Sequence, residues 1–334
     1  MPIIGTPQEF HEEDLFVDLR QLYGWPLYLK CEAFNFAGSV KLKAAASMID
    51  AAERSGTLGP DSVLVESSSG NLGLALSMIA AAKGYRFICV VDARTNLTTR
   101  QAIESLGGEV HVITEATGAG GFLGARLDHV RALCSEDERV LWLNQHANAN
   151  NWMAHYRTTA PAIEKQFPGL DLLFVGAGTT GTLMGCARYF RDRPGSQVTI
   201  VGVDSVGSVT FGGLPGPRMI PGLGAGVRPA LFDESYVDDM VLVPEIDTIR
   251  TCHQLARSGF LFGGSTGTVV NGAVRWLAEH RPGEDVTAVA ISPDLGDRYL
   301  DTIYQSNWVQ DIYGLDEFGL GTGPTPATSG VNQR

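Results

Sequence analysis

Residues 171–182 read DLLFVGAGTTGT, and this stretch decides the fold. An apolar run long enough for one strand is followed at once by a loop of glycines and threonines, and a helix-like pattern begins at Gly181. Strands that are apolar along their whole length are typical of sheets covered on both faces. The stretch therefore predicts a buried parallel strand, a tight loop and the N-terminus of a helix.

The loop at 176–182 is predicted to hold an anion. Glycines let successive backbone N–H groups point into one concavity, and a helix N-terminus adds its dipole. Thr179, Thr180 and Thr182 add hydroxyl groups that an empty turn would not require, which favours a phosphate over the alternative of an empty turn. The same loop matches G-x-G-x-x-G, with Asp204 about 20 residues further on, so a nicotinamide-dependent oxidoreductase is an alternative.

The rest of the chain alternates short β-branched runs with amphipathic segments of helix length, which is typical of βαβ units. We therefore predict an α/β fold with mostly parallel twisted sheets flanked by helices. The predicted strands are 26–32, 62–66, 86–92, 109–114, 140–144, 171–175, 198–203, 240–243 and 286–291. The predicted helices are 39–54, 70–83, 99–106, 121–134, 151–166, 181–191, 246–257 and 267–279.

Composition narrows the function classes. The 334 residues carry 25 basic and 37 acidic side chains, a net charge of −12, so nucleic acid and anionic membranes are unlikely partners. The five cysteines are odd in number and form no C-x-x-C pair, which argues against a disulfide framework and a structural metal site. No apolar run approaches the length of a membrane span, and we expect a cytoplasmic protein.

Two further loops carry polar side chains after predicted strands. Residues 66–73, ESSSGNLG, place Ser67, Ser68 and Ser69 before a helix, where hydroxyl and backbone donors suit a carboxylate. Helix capping explains one serine but not three. Residues 263–267, GGSTG, match the nucleophile elbow of hydrolases, but only Glu279 and His280 could complete a triad, which makes that reading improbable.

Residues 38–43, GSVKLK, place Lys41 near the start of a predicted helix, where the helix dipole does not favour a cation. On spacing alone, solvated surface positions for Lys41 and Lys43 are the ordinary interpretation.

Taken together in this order, the four motifs resemble the fold type II pyridoxal-phosphate enzymes of the cysteine synthase and cystathionine β-synthase group. The resemblance spans about residues 26–304 and includes Asn144-Gln145, residues 155–161, the run 222–226 and the segment 293–300. It implies pyridoxal 5'-phosphate as cofactor, with Lys41 as the lysine that bonds to it and then carries the substrate α-proton. Asn71 matches the amide that bonds the ring hydroxyl, and Ser265 matches the hydroxyl that meets the pyridine nitrogen. The phosphate loop corresponds to Gly178, Thr179, Thr180, Gly181 and Thr182.

The resemblance also implies the reaction. Ser68, Ser69 and Gln145 match groups that grip the substrate α-carboxylate. A neutral hydroxyl such as that of Ser265 leaves a shallower electron sink than a carboxylate partner would, which favours loss of a β-leaving group. The implied activity is β-replacement on an O-activated L-serine through an enzyme-bound aminoacrylate.

Three motifs depart from those of ordinary cysteine synthases, which read Lys-Asp-Arg, Ser-Gly-Asn-Thr and a second loop glycine where this chain has Lys41-Leu42-Lys43, Leu72 and Thr180. Lys-Leu-Lys at 41–43, Thr-Thr-Gly-Thr at 179–182, Asn-Asn-Trp at 150–152 and Ala-His-Tyr at 154–156 together resemble the branch of N-(2-amino-2-carboxyethyl)-L-glutamate synthases of siderophore and antibiotic pathways. Members of that branch join O-phospho-L-serine to L-glutamate on the way to 2,3-diaminopropionate. Cysteine synthesis from sulfide is the alternative. Two anionic substrates need local cations, for which Arg218 and Arg228 are candidates, with solvated positions as the alternative for both.

The implied architecture has two α/β domains with the cofactor between them. We expect residues 39–145 to form a smaller domain, residues 1–38 and 146–314 to form a larger one, and residues 315–334 to be a disordered tail. The resemblance also implies a homodimer that takes small amino acids as substrates.

Overall fold

Two parallel sheets organise the computed structural model, which describes residues 3–10, 12–68, 70–116 and 121–314. The larger sheet has the strand order β1-β2-β10-β7-β8-β9, and the smaller has the order β5-β4-β3-β6. All neighbours are parallel except β1 and β2. The predicted α/β class is confirmed.

The strands are β1 (Phe16–Asp18), β2 (Leu27–Cys31), β3 (Val63–Ser67), β4 (Arg86–Asp92), β5 (Glu109–Ile113), β6 (Val140–Trp142), β7 (Leu172–Gly176), β8 (Thr199–Ser205), β9 (Asp239–Val243) and β10 (Ala288–Ser292). The helices are α1 (Arg20–Tyr23), α2 (Lys41–Arg54), α3 (Asn71–Lys83), α4 (Leu97–Ser105), α5 (Gly121–Glu136), α6 (Ala149–Arg157), α7 (Thr159–Gln166), α8 (Gly181–Asp192), α9 (Glu245–Arg257), α10 (Gly264–His280) and α11 (Ser306–Tyr313).

Each sheet has apolar clusters of its own. Strands β2, β7, β8 and β10 pack with α10 on one side and with α7 and α8 on the other. The smaller sheet packs with α2 and α3 on one side and α5 on the other. Sheets covered in this way explain why β3, β7 and β10 are almost continuously apolar.

One predicted helix is two. The predicted helix 151–166 divides into α6 and α7 at Thr158, whose φ of −127° lies outside the helical range. Pro161 explains the division, because a proline ring clashes with the carbonyl four residues earlier and supplies no N–H donor. The break places His155 and Thr159 against the start of α8, where the site lies.

No helix within the described ranges is long and apolar enough to cross a membrane. The predicted tail, 315–334, lies outside the described residues.

Candidate active site

The loop between β7 and α8 has backbone groups free for an anion. Within the described part of the chain, the amides of Gly178, Thr179 and Thr180 enter no hydrogen bond. A Cβ on Gly178 would lie 2.8 Å from the carbonyl oxygen of Gly222, so only glycine fits where these two segments cross. The first amides of α8 are also free because a helix gives them no internal partner. This arrangement suits a phosphate group.

Thr180 holds an unusual backbone conformation in that loop. Its φ of 66° is left-handed, and Asn144 is the other non-glycine residue with positive φ in the described chain. A β-branched residue rarely adopts this conformation, which costs about 1–2 kcal/mol. The side chain is buried, and its hydroxyl donates to the carbonyl of Thr179 at 2.7 Å.

Asn151 joins the phosphate loop to the segment that contains Gln145. Its Nδ2 donates to the carbonyl of Gln145 at 2.7 Å and to Oγ1 of Thr179 at 3.1 Å. A Cβ on Gly181 would lie 2.1 Å from Oδ1 of Asn151, so Gly181 is required for this contact. Thr182 is fixed from α6, since its hydroxyl lies 3.3 Å from Nε2 of His155.

Residues 66–73, which are predicted to bind a carboxylate and are called the carboxylate loop below, begin at the end of β3. The hydroxyl of Ser67 is buried and has no partner among the described residues, so it is available to a ligand. The hydroxyl of Ser68 accepts from the amides of Gly70 at 3.4 Å and Gly73 at 3.0 Å, and its own hydrogen remains free to donate. Gln145 lies beside them, and its Nε2 donates to the carbonyl of Ser67 at 3.0 Å. Ser69 lies outside the described residues.

A buried carboxylate holds Gln145 in that position. Glu66, on β3, accepts from the backbone amide of Gln145 at 3.1 Å and from Nε1 of Trp142 at 3.1 Å. Burial raises the pKa of Glu66 to about 7, against the effect of these donors. Glu66 thus ties β3 to the segment after β6.

Lys41 is the first residue of α2, and its side chain is partly buried. Burial lowers the pKa of its amine from 10.5 to about 8, and the negative charge of Asp294 opposes this shift. An amine with this pKa is partly neutral near physiological pH, as a nucleophile toward an aldehyde must be.

Asn71 and Ser265 are brought to the site by two different helices, α3 and α10. Asn71 is the first residue of α3, and its Nδ2 donates to Oδ2 of Asp294 at 2.9 Å. Ser265, near the start of α10, is buried against the Gly222 segment, where a Cβ on Gly222 would lie 2.2 Å from its hydroxyl. Gly222 therefore links the phosphate loop to Ser265.

Arg218 and Arg228 lie in the long loop between β8 and β9, and both have partners away from the phosphate loop. Arg218 donates to the backbone carbonyls of Gly207 and Gly216, which pins the loop to itself. Arg228 pairs with Glu234 at 2.9 Å, lies over the ring of Phe232, and its side chain is 47% exposed. Neither arginine forms a hydrogen bond or ion pair with the phosphate or carboxylate loops in the described chain.

Sequence reasoning missed a cation on α5. The side chain of Arg126 is only 11% exposed, its Nε lies 3.5 Å from Oδ2 of Asp92, and this Nε has no hydrogen-bond partner among the described residues. Arg126 and Lys41 both act on His146: burial, together with these two positive charges, lowers the pKa of that imidazole to about 4. Arg126 therefore lies beside the cleft, although nothing in the local pattern of α5 distinguishes it.

Asp294 and Tyr299 were also missed. Both lie in a segment that the resemblance covers, but their neighbours come from distant parts of the chain. Asp294 is buried after β10 and accepts from Tyr299 at 2.7 Å as well as from Asn71.

These residues fit pyridoxal 5'-phosphate. Free amides at the start of α8 suit its phosphate, the amine of Lys41 suits its aldehyde, and the hydroxyl of Ser265 suits a pyridine nitrogen. The second hydrogen on Nδ2 of Asn71 can reach a ring hydroxyl while the first is held by Asp294. The dinucleotide alternative fits less well, because Asp204 is buried and accepts from the amide of Ser205 at 2.7 Å.

Comparisons with known proteins identify the family and its cofactor. The family described as "Pyridoxal-phosphate dependent enzyme" matches residues 15–294. The chain is 35% identical over 329 residues to N-(2-amino-2-carboxyethyl)-L-glutamate synthase of Ralstonia nicotianae, covering 97% of this chain and 94% of that protein. It is 37% identical over 305 residues to the protein of the same name from Cupriavidus metallidurans, covering 89% and 88%.

Solved structures show the same fold. The crystal structure of O-ureido-L-serine synthase superposes with a TM-score of 0.82 at 32% identity, covering 95% of this chain and 97% of that chain. The O-acetylserine dependent cystathionine β-synthase of Helicobacter pylori superposes with a TM-score of 0.84 at 28% identity, covering 91% and 100%. The chain therefore belongs to the pyridoxal-phosphate dependent enzymes, in the fold type II group of the cysteine synthases and cystathionine β-synthases.

Proposed function

We propose that this β-replacement enzyme joins the amine of L-glutamate to the β-carbon of O-phospho-L-serine, giving N-(2-amino-2-carboxyethyl)-L-glutamate. The observation that carries the proposal is Arg126, a nearly buried guanidinium beside the cleft with an unpartnered Nε. A buried cation is costly unless a counter-ion reaches it, and Asp92 satisfies it only in part. Glutamate supplies carboxylates for such a cation, whereas sulfide supplies none. Two relatives named for the same product support the assignment.

Different residues of the chain have different roles in the proposed β-replacement. When bound, pyridoxal phosphate supplies an electron sink for the bonds at the substrate α-carbon. The amides of 178–182 hold its phosphate, and the neutral hydroxyl of Ser265 leaves its pyridine ring a moderate sink. The hydroxyls of Ser67 and Ser68 and the amide of Gln145 orient the substrate α-carboxylate. Nζ of Lys41 removes the α-proton and returns it to the same carbon after the new bond forms.

The proposed nucleophile needs a site in which its amine is neutral. His146 follows Gln145 directly and carries no charge near pH 7, because burial and its two cationic neighbours lower its pKa to about 4. A neutral imidazole can accept a hydrogen bond from an entering amine, which an imidazolium would repel. Arg126 and His146 together present a cation and an acceptor, as an amino acid requires.

The test is a panel of substrates with the purified holoenzyme. O-phospho-L-serine and O-acetyl-L-serine are each combined with L-glutamate, D-glutamate or L-aspartate, and the products are identified by mass and chromatography. We expect the C–N adduct from O-phospho-L-serine and L-glutamate, with much less from the enantiomer and the shorter acid. Equal products from all three acids would contradict a site built for L-glutamate.

The homodimer and the pathway stay predictions from the resemblance, and the cytoplasmic location stays a prediction from composition. Analytical ultracentrifugation of the holoenzyme tests the first of them: a single species at twice the chain mass is expected.

A further inference from the structure

One buried carboxylate at the site, that of Asp294, binds neither the cofactor nor the substrate in the proposed reaction. Asp294 follows β10, is only 2% exposed, and accepts hydrogen bonds at Oδ2 from Nδ2 of Asn71 at 2.9 Å and from the hydroxyl of Tyr299 at 2.7 Å. Its other oxygen, Oδ1, is buried and has no hydrogen-bond partner among the described residues. A buried carboxylate oxygen without a donor is costly, so the position calls for a partner that arrives during function.

The backbone places Asp294 next to the start of α2. The amide of Val40 donates to the carbonyl of Pro293 at 2.7 Å, and Ser39 pairs with Asp294 in an antiparallel bridge. Lys41 is the next residue after Val40, so its amine and the Asp294 carboxylate belong to two segments held in fixed register. The carboxylate also needs the space left by Gly263, where a Cβ would lie 2.2 Å from Oδ1.

Among the donors near Asp294, Lys41 is the one whose bonding changes during the proposed reaction. Asn71 and Tyr299 already donate to Oδ2. Arg298 also faces Asp294: its Nη2 donates to the carbonyl of Ala37, and its Nη1 is buried without a hydrogen-bond partner among the described residues. Within those residues, neither Arg298 nor Lys41 forms an ion pair with the carboxylate in this structure.

The other titratable groups near Lys41 cannot replace the carboxylate. His146 and His155 face Lys41 from the segment after β6 and from α6, and both are neutral imidazoles near pH 7, because burial lowers their pKa values to about 4 and about 3. Cys252 approaches Asp294 from α9, and burial raises the pKa of its thiol to about 12.

We propose that Asp294 is the counter-ion of Lys41 while that lysine is detached from the cofactor, with Oδ1 accepting a hydrogen bond from Nζ. The proposal rests on the proposed β-replacement. In that interval the substrate amine has displaced Nζ, the α-C–H bond breaks, and its proton passes to Nζ, which becomes an ammonium group. The electron pair of the C–H bond forms the Cα=Cβ double bond, and the electron pair of the Cβ–O bond leaves with the phosphate group. After the nucleophile bonds to Cβ, the same proton returns from Nζ to Cα.

The charge matters because the surroundings of Lys41 disfavour an ammonium ion. Burial lowers the pKa of Lys41, and Asp294 is the group that raises it. Without the carboxylate, the lysine would hold the α-proton less well and would release it to water before it could return. Asp294 is therefore a positioning residue that acts through Lys41.

The test compares Asp294→Asn with Tyr299→Phe in the full-length protein. The first variant removes the charge and keeps the shape, while the second removes one hydrogen bond to Asp294 and keeps the charge. Each protein is stripped of cofactor, mixed with pyridoxal phosphate over a range of pH, and reduced with borohydride, so that the initial rate of incorporation at Lys41 reports the neutral fraction of its amine. Titration of the cofactor itself is common to all variants and cancels in the comparison.

Loss of the carboxylate must lower the pKa of Lys41, so incorporation into Asp294→Asn should begin at a lower pH, by about one unit. The profile of Tyr299→Phe should shift by less than that of Asp294→Asn, because loss of the hydroxyl raises the pKa of the Asp294 carboxyl but leaves the carboxyl group in place. If Asp294→Asn does not fold, as judged by circular dichroism, the smaller neutral variant Asp294→Ser makes the same comparison. Coincident profiles for the wild type and the neutral variants would overturn the proposal, since Asp294 would then carry no charge that Lys41 senses.

A second measurement follows the proton in the holoenzyme. Product formed in D2O from O-phospho-L-serine should keep more of the original α-hydrogen with wild type than with Asp294→Asn, and equal retention would also overturn the proposal. These outcomes are separable from the proposed function, because incorporation at Lys41 does not depend on the nucleophile. A shifted profile without a glutamate adduct would keep Asp294 and reject glutamate.

Discussion

Thr180 combines an unusual backbone conformation with an expected effect on the choice of nucleophile. A glycine would adopt its φ of 66° without strain, so Thr180→Gly should change the free energy of unfolding by no more than about 1 kcal/mol, as relief of strain offsets the entropy of glycine. The same change removes a buried side chain from the phosphate loop itself. We expect the ratio of amine to sulfide product to fall, measured by mass with both nucleophiles present. Unchanged reactivity toward both would show that Thr180 does not shape the pocket.

Arg126 offers a second test at single-residue scale. Arg126→Gln removes the charge proposed to bind a glutamate carboxylate, and kcat/KM for L-glutamate should fall by about 10–100-fold, the loss typical of a charged hydrogen bond. Arg94→Gln is the matched control, because Arg94 also pairs with Asp92 but its side chain is 67% exposed. The control should change kcat/KM by no more than about twofold. An equal loss with glutamate and with sulfide would assign Arg126 to the phosphoserine instead, and would contradict our interpretation.

Single residues also show how far a sequence can be interpreted. The free amides of the loop 176–182 agree with the anion site predicted from the local motif, whereas the roles of Lys41 and Asn71 come from the resemblance and stay predictions. Arg126 and Asp294 could not be predicted, because their roles depend on neighbours about 35 and more than 200 positions away in sequence, which no local pattern reveals. The predictions for Arg218 and Arg228 relied on charge and loop length alone, and the structure gives both arginines partners within their own loop.

At the scale of elements, His155 connects three helices. Its Nδ1 lies 3.1 Å from the hydroxyl of Thr159 on α7, and its Nε2 lies 3.3 Å from that of Thr182 on α8. Burial lowers the pKa of His155 to about 3, whereas an unfolded histidine titrates near 6.5. Between these values the unfolded chain binds a proton that the folded chain excludes. This contribution to stability is complete above pH 6.5 and is lost as the pH falls, by up to about 1.4 kcal/mol per pH unit.

Denaturant unfolding of His155→Gln should reveal this titration. The variant loses hydrogen bonds at pH 7 and is less stable there, but its stability should fall less between pH 7 and pH 5, so that the gap to the wild type narrows. His280→Gln serves as the control, since that histidine is exposed at the end of α10. A gap that stays constant over this range would show that His155 is protonated in the folded protein.

The elements themselves were mostly predictable. Every predicted strand is present. Strands β3, β7 and β10 are covered on both faces and form nearly continuous apolar runs, whereas the edge strands β5 and β9 are less buried and begin with Glu109 and Asp239. The missed elements, β1, α1 and α11, are short, and a run of three to eight residues carries too little periodicity to recognise. The division between α6 and α7 follows from Pro161, a signal that the sequence contains and that a helix spanning 151–166 ignores.

At the scale of the molecule, the site exists because two sheets bring their loops together. Asn71 reaches Asp294 from the smaller sheet, Asn96 reaches Asp301 at 2.8 Å, and Lys43 reaches Glu32 at 2.7 Å in a buried ion pair. Each contact joins a helix of the smaller sheet to a segment that follows a strand of the larger one. The arrangement explains why the fold could be predicted from alternating strands and helices, whereas the nucleophile depends on side chains that only the assembled cleft brings together.

Competition between the two nucleophiles tests whether the enzyme uses L-glutamate in preference to sulfide. The holoenzyme receives O-phospho-L-serine with L-glutamate and sulfide in one vessel, and both products are quantified by mass over the initial linear phase. The site described here predicts the C–N adduct, N-(2-amino-2-carboxyethyl)-L-glutamate, as the main product. Cysteine as the main product would contradict the assignment and would place the enzyme with the sulfide-using members of its family.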